Sequence, residues 1–147
     1  MRAPRLVCAT SLAGILLAGC ASGPARPDAQ LSAALDQLDA QNEYATTKRC
    51  LGTFEYDSVE ILDDQHLLFE KGDKSVWLNK LRSRCPGLRA DDILAFDMRS
   101  NRLCSLDSAT VIDRFLLWRR SGPTCSLGEF QELTAPQASL LREAMKG

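Results

Sequence analysis

The spacing of apolar residues changes three times along the chain. Residues 6–19 form an apolar run without a charged side chain. Leucines then recur at positions i, i+4 and i+7, which predicts a helix over residues 29–46. Between residues 50 and 133 the period shortens to two, which is typical of β-strands. A second apolar stripe at helical spacing predicts a C-terminal helix over residues 135–146.

The region with a period of two divides into short strands separated by turn residues. Asp63-Asp64-Gln65 joins the first pair of strands, and Gly72-Asp73 joins the second strand to the third, so these three are expected to form a meander. Val76 and Leu78 alternate around Trp77 in the third strand. The predicted strands are residues 58–62, 66–71, 75–81, 92–99, 102–106, 109–113, 115–120 and 125–133.

Glycine, proline and asparagine mark the remaining turns. Ser100-Asn101 is expected to join two consecutive strands, and "SGPT" at 121–124 is a further predicted turn. Gly128, inside the last strand, indicates a bulge or a close approach of two backbones. Together these elements predict a mainly β fold: a small antiparallel barrel or a bent meander sheet with a helix at each end.

Both helices carry signals for where they begin. Asp28 is a residue type that caps the first helix well. Thr134-Ala135-Pro136-Gln137 fits a capping box with proline in the first turn, so the second helix should begin at once after Thr134. The first helix is expected to cover its own domain or to act as a spacer, with docking to a partner as the alternative.

The N-terminus has the order of a secretory signal: positive charge from Arg2 and Arg5, then apolar residues, then small residues. Its 14-residue apolar run is shorter than the ~20 residues that span a bilayer. Leu17-Ala18-Gly19-Cys20 resembles the lipobox of bacterial lipoproteins, in which the cysteine thiol receives a diacylglycerol. The alternative is an ordinary signal peptide with a chance cysteine.

The lipobox resemblance implies a division of the chain. Residues 1–19 are the signal peptide that is removed, residues 20–30 are a lipidated tether, and residues 31–147 are one periplasmic domain. Cys20 would be the lipid attachment site and the membrane a partner through that anchor. Under the rules of Gram-negative lipoproteins, Ala21 after the cysteine favours the outer membrane, with the domain facing the periplasm.

Four cysteines remain after Cys8 leaves with the signal and Cys20 takes the lipid. Cys50, Cys85, Cys104 and Cys125 are an even number in an oxidising compartment, so two disulfides are expected. Four cysteines allow three pairings, of which Cys50–Cys85 and Cys104–Cys125 are favoured because they enclose local hairpins. A four-cysteine metal site is the weaker alternative, since the chain has no C-x-x-C pair.

Charge narrows the choice of partners. The full chain has a formal charge of −1, and removal of residues 1–19 leaves 16 basic and 19 acidic side chains, a charge of −3. Nucleic-acid binding depends on neutralising phosphates, so this balance argues against nucleic acid as a partner. Another protein of the cell envelope is the expected macromolecular partner besides the membrane.

The residues that carry catalysis are scarce. His66 is the one histidine and is expected to be exposed on the surface, with general-base chemistry as a weak alternative. The chain contains no H-E-x-x-H, no G-x-S-x-G and no phosphate-binding glycine loop. The adjacent pairs Asp63-Asp64 and Asp91-Asp92 should point to opposite faces of a strand. We therefore expect no enzyme activity, no cofactor and no metal.

Three further side chains are candidates for a surface site. Asp107 lies between two predicted strands, where it is expected to form a turn. Arg119 and Arg120, with Arg114, are expected to line a solvated strand edge, and lipid headgroups or an anionic polymer are the alternative. The aromatic residues expected in the core are Phe54, Phe69, Phe96, Phe115, Phe130, Trp77 and Trp118.

Five segments resemble a family of small proteobacterial lipoproteins that remains a domain of unknown function. They are "RCL" (49–51), "DDQHLLFE" (63–70), "LRSRCPGL" (81–88), "LCSLD" (103–107) and "CSLGEF" (125–130). Where the family commonly has a glycine before the aspartate of the "LC-x-x-D" element, this chain has Leu106, so no special backbone conformation is expected there. The resemblance implies localisation and fold but no activity.

These observations predict a membrane-anchored envelope lipoprotein that acts as a non-catalytic binding or structural module. The alternative is a periplasmic lipoprotein inhibitor of a cell-wall hydrolase, which would insert one rigid loop into its target. Residues 100–103 and 121–124 are the loops expected for that role.

Overall fold

The computed structural model describes residues 27–72, 74–98, 100–116 and 119–146. The predicted signal peptide, Cys20 and the first part of the tether lie outside these residues. The elements are α1 (Pro27–Gln41), β1 (Thr46–Lys48), β2 (Cys50–Gly52), β3 (Ser58–Ile61), β4 (His66–Lys71), β5 (Ser75–Lys80), β6 (Ile93–Asp97), β7 (Arg102–Cys104), β8 (Ser108–Ile112), β9 (Arg120–Ser126), β10 (Phe130–Glu132) and α2 (Ala135–Lys146).

The strands form three antiparallel sheets. The largest has five strands in the order β1-β10-β5-β4-β3, a second pairs β2 with β7, and the third has the order β6-β8-β9. The predicted meander is confirmed, because β3, β4 and β5 are neighbours in one sheet. The mainly β fold with a helix at each end is also confirmed, and of the two forms predicted the described strands adopt meander sheets rather than a closed barrel.

Both faces of the five-stranded sheet are buried. Phe69, Trp77 and Phe130 contribute to a hydrophobic cluster shared with the two smaller sheets. Leu68 and Leu78 contribute to a second cluster shared with α1 and α2. Successive strand residues point to opposite faces, so this layered packing explains why the central strands carry apolar residues on both sides.

The N-terminal helix is shorter than its predicted range of 29–46. It begins at Pro27, so part of the predicted tether is helical, and Asp28 lies inside the helix rather than at its cap. It ends at Gln41 because Asn42 takes a left-handed conformation with φ of 46° and donates its N–H to the Leu38 carbonyl at 3.0 Å. Asparagine tolerates this helix-ending conformation better than most residues.

The C-terminal helix begins and ends as predicted, from Ala135 to Lys146. The Thr134 N–H donates to Gln137 Oε1 at 2.8 Å, which is half of the predicted capping box. Gln137 also donates from Nε2 to the Glu43 carbonyl at 2.7 Å. The start of α2 is thereby fixed against the segment that follows α1.

The predicted strand at 115–120 is wrong at the described residues 115, 116 and 119, while residues 117 and 118 lie outside the described part of the chain. The turn predicted at 121–124 is wrong, because these residues lie within β9. Asp113 Oδ1 accepts the backbone N–H groups of Phe115 and Leu116, both at 2.8 Å, and so turns the chain immediately after β8. The strand β9 resumes at Arg120 and includes Pro123. Proline is tolerated there because β9 is an edge strand of its sheet.

The predicted strand at 125–133 is broken where the chain passes from one sheet to another. β9 ends at Ser126 and β10 begins at Phe130. A Cβ at Gly128 would lie 2.0 Å from the Lys80 carbonyl oxygen, which confirms the close approach expected at this glycine. The buried Asn79 side chain donates to the Gly128 carbonyl at 2.9 Å and accepts its N–H at 3.1 Å.

Two disulfides join the four predicted cysteines, but in a different pairing from the one favoured. Cys50 pairs with Cys104, and Cys85 pairs with Cys125. The expected β6–β7 hairpin does not form: β7 pairs with β2, which sets Cys50 opposite Cys104, while β6 pairs with β8. The Arg82 N–H donates to the Ser126 carbonyl at 3.1 Å, which brings the loop containing Cys85 beside β9.

Candidate functional site

His66 lies at the start of β4 and is buried, with 7% of its surface exposed, so the expectation of an exposed histidine is wrong. The β3–β4 turn places it beneath α1. It lines a groove of about 370 Å³ together with Leu31, Leu35, Asp63 and Arg84. A polar ring in this position needs partners, because burying an unpaired polar group is unfavourable.

Asp63 fixes the orientation of the histidine. Its Oδ1 accepts the backbone N–H groups of Gln65 and His66, both at 2.7 Å, and its carboxylate lies 2.9 Å from His66 Nδ1. Burial opposes ionisation of Asp63, but the hydrogen bonds from His66 and Gln65 outweigh it, so the net effect is a lowered pKa. Asp63 is therefore a carboxylate that shapes the turn and holds the ring.

The second ring nitrogen of His66 faces α1. His66 Nε2 makes no hydrogen bond and lies 3.9 Å from Asp39 Oδ2, and Asp39 is ion-paired with Lys80. The cluster therefore links α1 to β4 and β5 through charged and polar groups. Chemically, a carboxylate-oriented imidazole can exchange a proton at Nε2, but this nitrogen is enclosed between the helix and the sheet.

The acidic pairs do not converge on one another. Asp64 forms an ion pair with Arg84 at 2.7 Å, separate from the bonds that Asp63 makes. Asp91 accepts a hydrogen bond at its carbonyl from Arg114 at 2.7 Å. Asp92 instead accepts the Arg89 N–H at 2.8 Å, which closes its own turn. The Asp91 carboxylate lies 3.6 Å from Arg114. The four carboxylates therefore have separate partners, although both pairs lie in turns and not on the opposite faces of a strand as the sequence predicted.

Asp107 closes a turn between β7 and β8. Its Oδ2 accepts the Cys104 N–H at 2.7 Å, its own N–H donates to the Cys104 carbonyl at 3.0 Å, and its carbonyl accepts the Leu127 N–H at 3.0 Å. Leu106 has a φ of 81°, as required at the third residue of a type II turn. The turn expected at Asp107 is confirmed, and the expectation of an ordinary backbone at Leu106 is wrong.

Arg119 and Arg120 lie at one end of the loop that joins β8 to β9. The Asp113 N–H donates to the Arg119 carbonyl at 2.8 Å, and the Arg119 N–H donates to the Leu116 carbonyl at 2.7 Å, so hydrogen bonds close the base of the loop. Arg120 is 3.6 Å from Asp97. The structure does not bring Asp107 together with these arginines by any described contact.

The aromatic residues divide between the core and the surface. Phe69, Phe96 and Phe130 pack together, with ring centroids 5.3 to 6.0 Å apart, and Trp77 is buried beside them. Phe54 and Phe115 are 82% and 91% exposed, so their predicted place in the core is wrong. The reason is that both lie on loops outside the strands. Trp118 lies outside the described residues.

The exposed loop after β8 is the surface feature that sequence reasoning missed. An available signal was Asp113, which precedes the apolar run and can capture the next two backbone N–H groups. The continuous apolar run that follows gives the opposite indication, since such runs are typical of buried strands. The Asp113 signal therefore indicates a turn after β8, and the exposure of the side chains beyond it had no signal in the sequence.

No three His, Cys, Asp or Glu side chains in the described part of the chain are grouped so that they could hold a metal ion. Neither described helix combines the length and the apolar character that a membrane span requires.

Comparison with known proteins identifies a family. The model of a family of unknown function, DUF6491, matches residues 3–147, so the chain belongs to this family. No curated protein and no solved structure matches the chain. The resemblance to a family without an assigned activity is thus confirmed, whereas its description as proteobacterial lipoproteins stays a prediction.

Proposed function

We propose that this member of the DUF6491 family is a lipoprotein of the bacterial cell envelope, anchored through Cys20, whose domain is a non-catalytic binding or structural module. The signal order of residues 1–19 and the lipobox-like ending support export and acylation. The proposed location is the outer membrane, with the domain facing the periplasm.

The pairing of all four cysteines beyond Cys20 carries this proposal. Cys50–Cys104 and Cys85–Cys125 connect residues 54 and 40 positions apart in the chain. Such structural disulfides form and persist in oxidising compartments such as the periplasm and are rare in the cytosol. The disulfides and the N-terminal signal are independent features of the chain, and both favour export.

The proposed non-catalytic role is supported by how the candidate catalytic groups are used. Asp107 closes a turn, and Asp63 binds two backbone N–H groups besides orienting His66. His66 in turn lies against Asp39 of α1. These side chains hold elements of the fold together, which is the role expected of them in a rigid binding module.

Intact-mass analysis of the protein purified from the bacterial envelope tests the anchor. We expect a chain that begins at Cys20 and carries acyl chains, and we expect the acylation and the cleavage before residue 20 to be lost when Cys20 is replaced by alanine. Cys8→Ala is the matched control and should leave processing unchanged. An unprocessed Met1, or a mature N-terminus without a fatty acid, would contradict the proposal.

A pulldown from oxidised periplasm, followed by crosslinking, tests the binding role. A reproducible envelope partner that is lost on reduction of the disulfides supports a rigid binding module. For hydrolase inhibition, the loops predicted to enter the target are shorter than expected, because residues 121–124 lie within β9 and residues 102–103 lie within β7. Dose-dependent inhibition of lysozyme in a turbidity assay would nevertheless overturn the proposed role in favour of inhibition.

A further inference from the structure

The loop between β8 and β9 displays apolar side chains to solvent. Phe115 is 91% exposed and Leu116 is 41% exposed. Hydrogen bonds from their N–H groups to Asp113 Oδ1 and from Arg119 to the Leu116 carbonyl hold the backbone of the described part of this loop. We refer to the described residues 113–116 and 119 as the β8–β9 loop. A hydrogen-bonded turn that presents an aromatic ring to water is suited to binding an apolar surface.

Arginines flank these apolar residues in sequence, and Asp91, Asp92 and Asp113 line the same groove as Phe115. Arg114 precedes Phe115, and Arg119 and Arg120 follow the loop, all with exposed surfaces. Arg114 and Arg120 lie 3.6 Å from Asp91 and Asp97, pairs in which both partners remain largely in solvent. Arg114 also donates to the Asp91 carbonyl at 2.7 Å on the exposed surface. Exposed contacts of this kind are weak, so an anion can compete for the guanidinium groups. Apolar residues beside arginines are the combination found at the interface between acyl chains and anionic headgroups.

The position of the loop relative to the N-terminus agrees with a membrane-facing role. Leu31, near the start of α1, lines a groove of about 470 Å³ together with Ala90, Asp92 and Met145. Asp92 also lines the neighbouring groove, of about 380 Å³, which contains Phe115. The start of α1 and the β8–β9 loop therefore lie at the same end of the domain.

The tether is too short to hold this end far from an anchor at Cys20. Residues 20–26 precede α1, and seven fully extended residues reach at most about 25 Å. An anchored domain therefore explores only the space next to the bilayer, which raises the effective concentration of any lipid-binding surface. A loop at the tethered end is placed to benefit from this constraint.

We propose that the β8–β9 loop is a second membrane contact, in which Phe115 and Leu116 enter the bilayer interface while Arg114, Arg119 and Arg120 bind anionic headgroups. The inference rests on the proposed lipid anchor for its biological setting. This contact would fix the orientation of the anchored domain on the membrane. The end of the domain that contains the starts of α1 and β6 would face the lipid.

Phe54 provides a matched control on another loop of the domain. It is 82% exposed, like Phe115, and it lies in the loop that follows β2. The Thr53 N–H beside it donates to the Asn101 carbonyl at 3.2 Å, so this loop is held by the connection between β6 and β7 and not by the β8–β9 loop.

Fluorescence quenching by lipids brominated in the acyl chains tests the contact. Phe115→Trp and Phe54→Trp are each made in a Trp118→Phe background, so that buried Trp77 gives the same signal in both. The acylated proteins are reconstituted in phosphatidylcholine vesicles with and without about 30% phosphatidylglycerol. We expect the tryptophan at 115 to be quenched at least twofold more than that at 54, and more strongly in the anionic vesicles.

Replacement of Arg119 and Arg120 by glutamine in the Phe115→Trp background should remove at least half of the added quenching in anionic vesicles. Equal quenching at positions 115 and 54 would overturn the proposal, as expected if the loop binds a protein instead of lipid. An unacylated Cys20 in the intact mass would overturn the proposed function alone. The quenching at positions 115 and 54 is then compared after vesicles are added to the unacylated protein. Stronger quenching at position 115 supports the membrane contact, and equal quenching overturns it.

Discussion

The five-stranded and three-stranded sheets are built from similar short strands but differ in how they are covered. In the five-stranded sheet, β4 buries Leu67, Leu68 and Phe69 in succession, because the helices cover one face and the smaller sheets cover the other. In the three-stranded sheet only the central strand β8 has buried residues in succession, Ala109, Thr110 and Val111, whereas the edge strand β6 has half-buried residues before its exposed final residue. The loop that connects β8 to β9 leaves Phe115 almost fully in solvent.

This difference separates the part of the protein that provides stability from the part that is free to bind. A side chain covered on all sides contributes to the free energy of unfolding through burial and close packing. An exposed aromatic side chain contributes little to that free energy and remains free to contact a lipid surface or a partner. Mutations of covered side chains should therefore lower the free energy of unfolding. Mutations of exposed side chains in the β8–β9 loop should weaken binding and leave that free energy nearly unchanged.

Phe69→Ala should have the largest effect on stability. Phe69 is fully buried and contacts the rings of Tyr56, Phe96 and Phe130, so its removal leaves a cavity where both smaller sheets meet the large one. We expect the free energy of unfolding to fall by about 4 kcal/mol. Urea denaturation, monitored by circular dichroism, measures this loss. A loss below about 1 kcal/mol would show that the surrounding side chains relax and fill the cavity.

Removal of the Cys85–Cys125 disulfide should loosen the three-stranded sheet relative to the five-stranded one. This disulfide joins the loop after β5 to β9, and so connects the two regions. The Cys85→Ala/Cys125→Ala variant should lose about 3 kcal/mol of stability. Hydrogen exchange should accelerate more in β9 than in β4.

Cys50→Ala/Cys104→Ala is the matched control for that variant. This disulfide joins β2 to β7 and closes a loop of similar length, with a sequence separation of 54 instead of 40. Its removal should lower stability by a similar amount without selectively increasing exchange in β9. Equal acceleration of β9 in both variants would mean that the two sheets unfold as one unit.

Asp63→Ala should destabilise the protein by about 2 kcal/mol at pH 7, because the His66 ring and two backbone N–H groups lose their acceptor. The Asp63 pKa is lowered from its ordinary value of 3.8, so its stabilising contribution is present above that pH and is lost as the pH falls through the lowered value. Urea denaturation between pH 7 and pH 2 should show the difference between the variant and the wild type narrowing below about pH 4.

Asp113→Ala is the corresponding change in the exposed β8–β9 loop. Asp113 accepts the N–H groups of Phe115 and Leu116 in the same arrangement, and these hydrogen bonds lower its pKa. We expect a smaller loss of global stability than for Asp63→Ala, together with faster local exchange in the loop. A loss as large as that of Asp63→Ala would contradict the division between a stabilising and a binding region.

Leu106→Gly should stabilise the protein by about 1 kcal/mol. A non-glycine residue in the left-handed region is strained, and the Leu106 side chain is 58% exposed, so little burial is lost. Thermal and urea denaturation measure the gain. Leu106→Ala keeps a Cβ at the same φ and should give no such gain, and destabilisation by the glycine would mean that the leucine side chain has a packing role.

Phe115→Ala should change the free energy of unfolding by less than about 0.5 kcal/mol, because the ring is exposed. It should still reduce membrane contact in the reconstituted protein. Urea denaturation measures the effect on the free energy of unfolding. Quenching of a tryptophan near position 115 by brominated lipids measures the effect on membrane contact. A stability loss comparable to that of Phe69→Ala would show that the loop packs on the domain in solution.

Elements with strong local signals were predictable from the sequence. The start of α2 follows from a capping box that acts within four residues. The bounds of β4, residues 66–71, follow from the turns on both sides. The alternation of side chains along a strand predicts that Trp77 is buried on one face of the sheet and that Val76 and Leu78 are buried on the other. For the candidate site, the turn role of Asp107 was predictable for the same reason, since its hydrogen bonds reach only three residues back.

Features that depend on residues far apart in the chain were decided by the tertiary structure. The disulfide pairing depends on which strands become neighbours, since β7 pairs with β2 and not with β6. The burial of His66 depends on α1 packing over a turn that lies more than 20 residues further along the chain. The exposure of Phe115 depends on Asp113 ending the strand, against the β propensity of the residues that follow. The sequence by itself determined the local elements, because their hydrogen bonds and periodicity involve neighbouring residues, and only the packed fold determined which of their side chains are covered and which remain free.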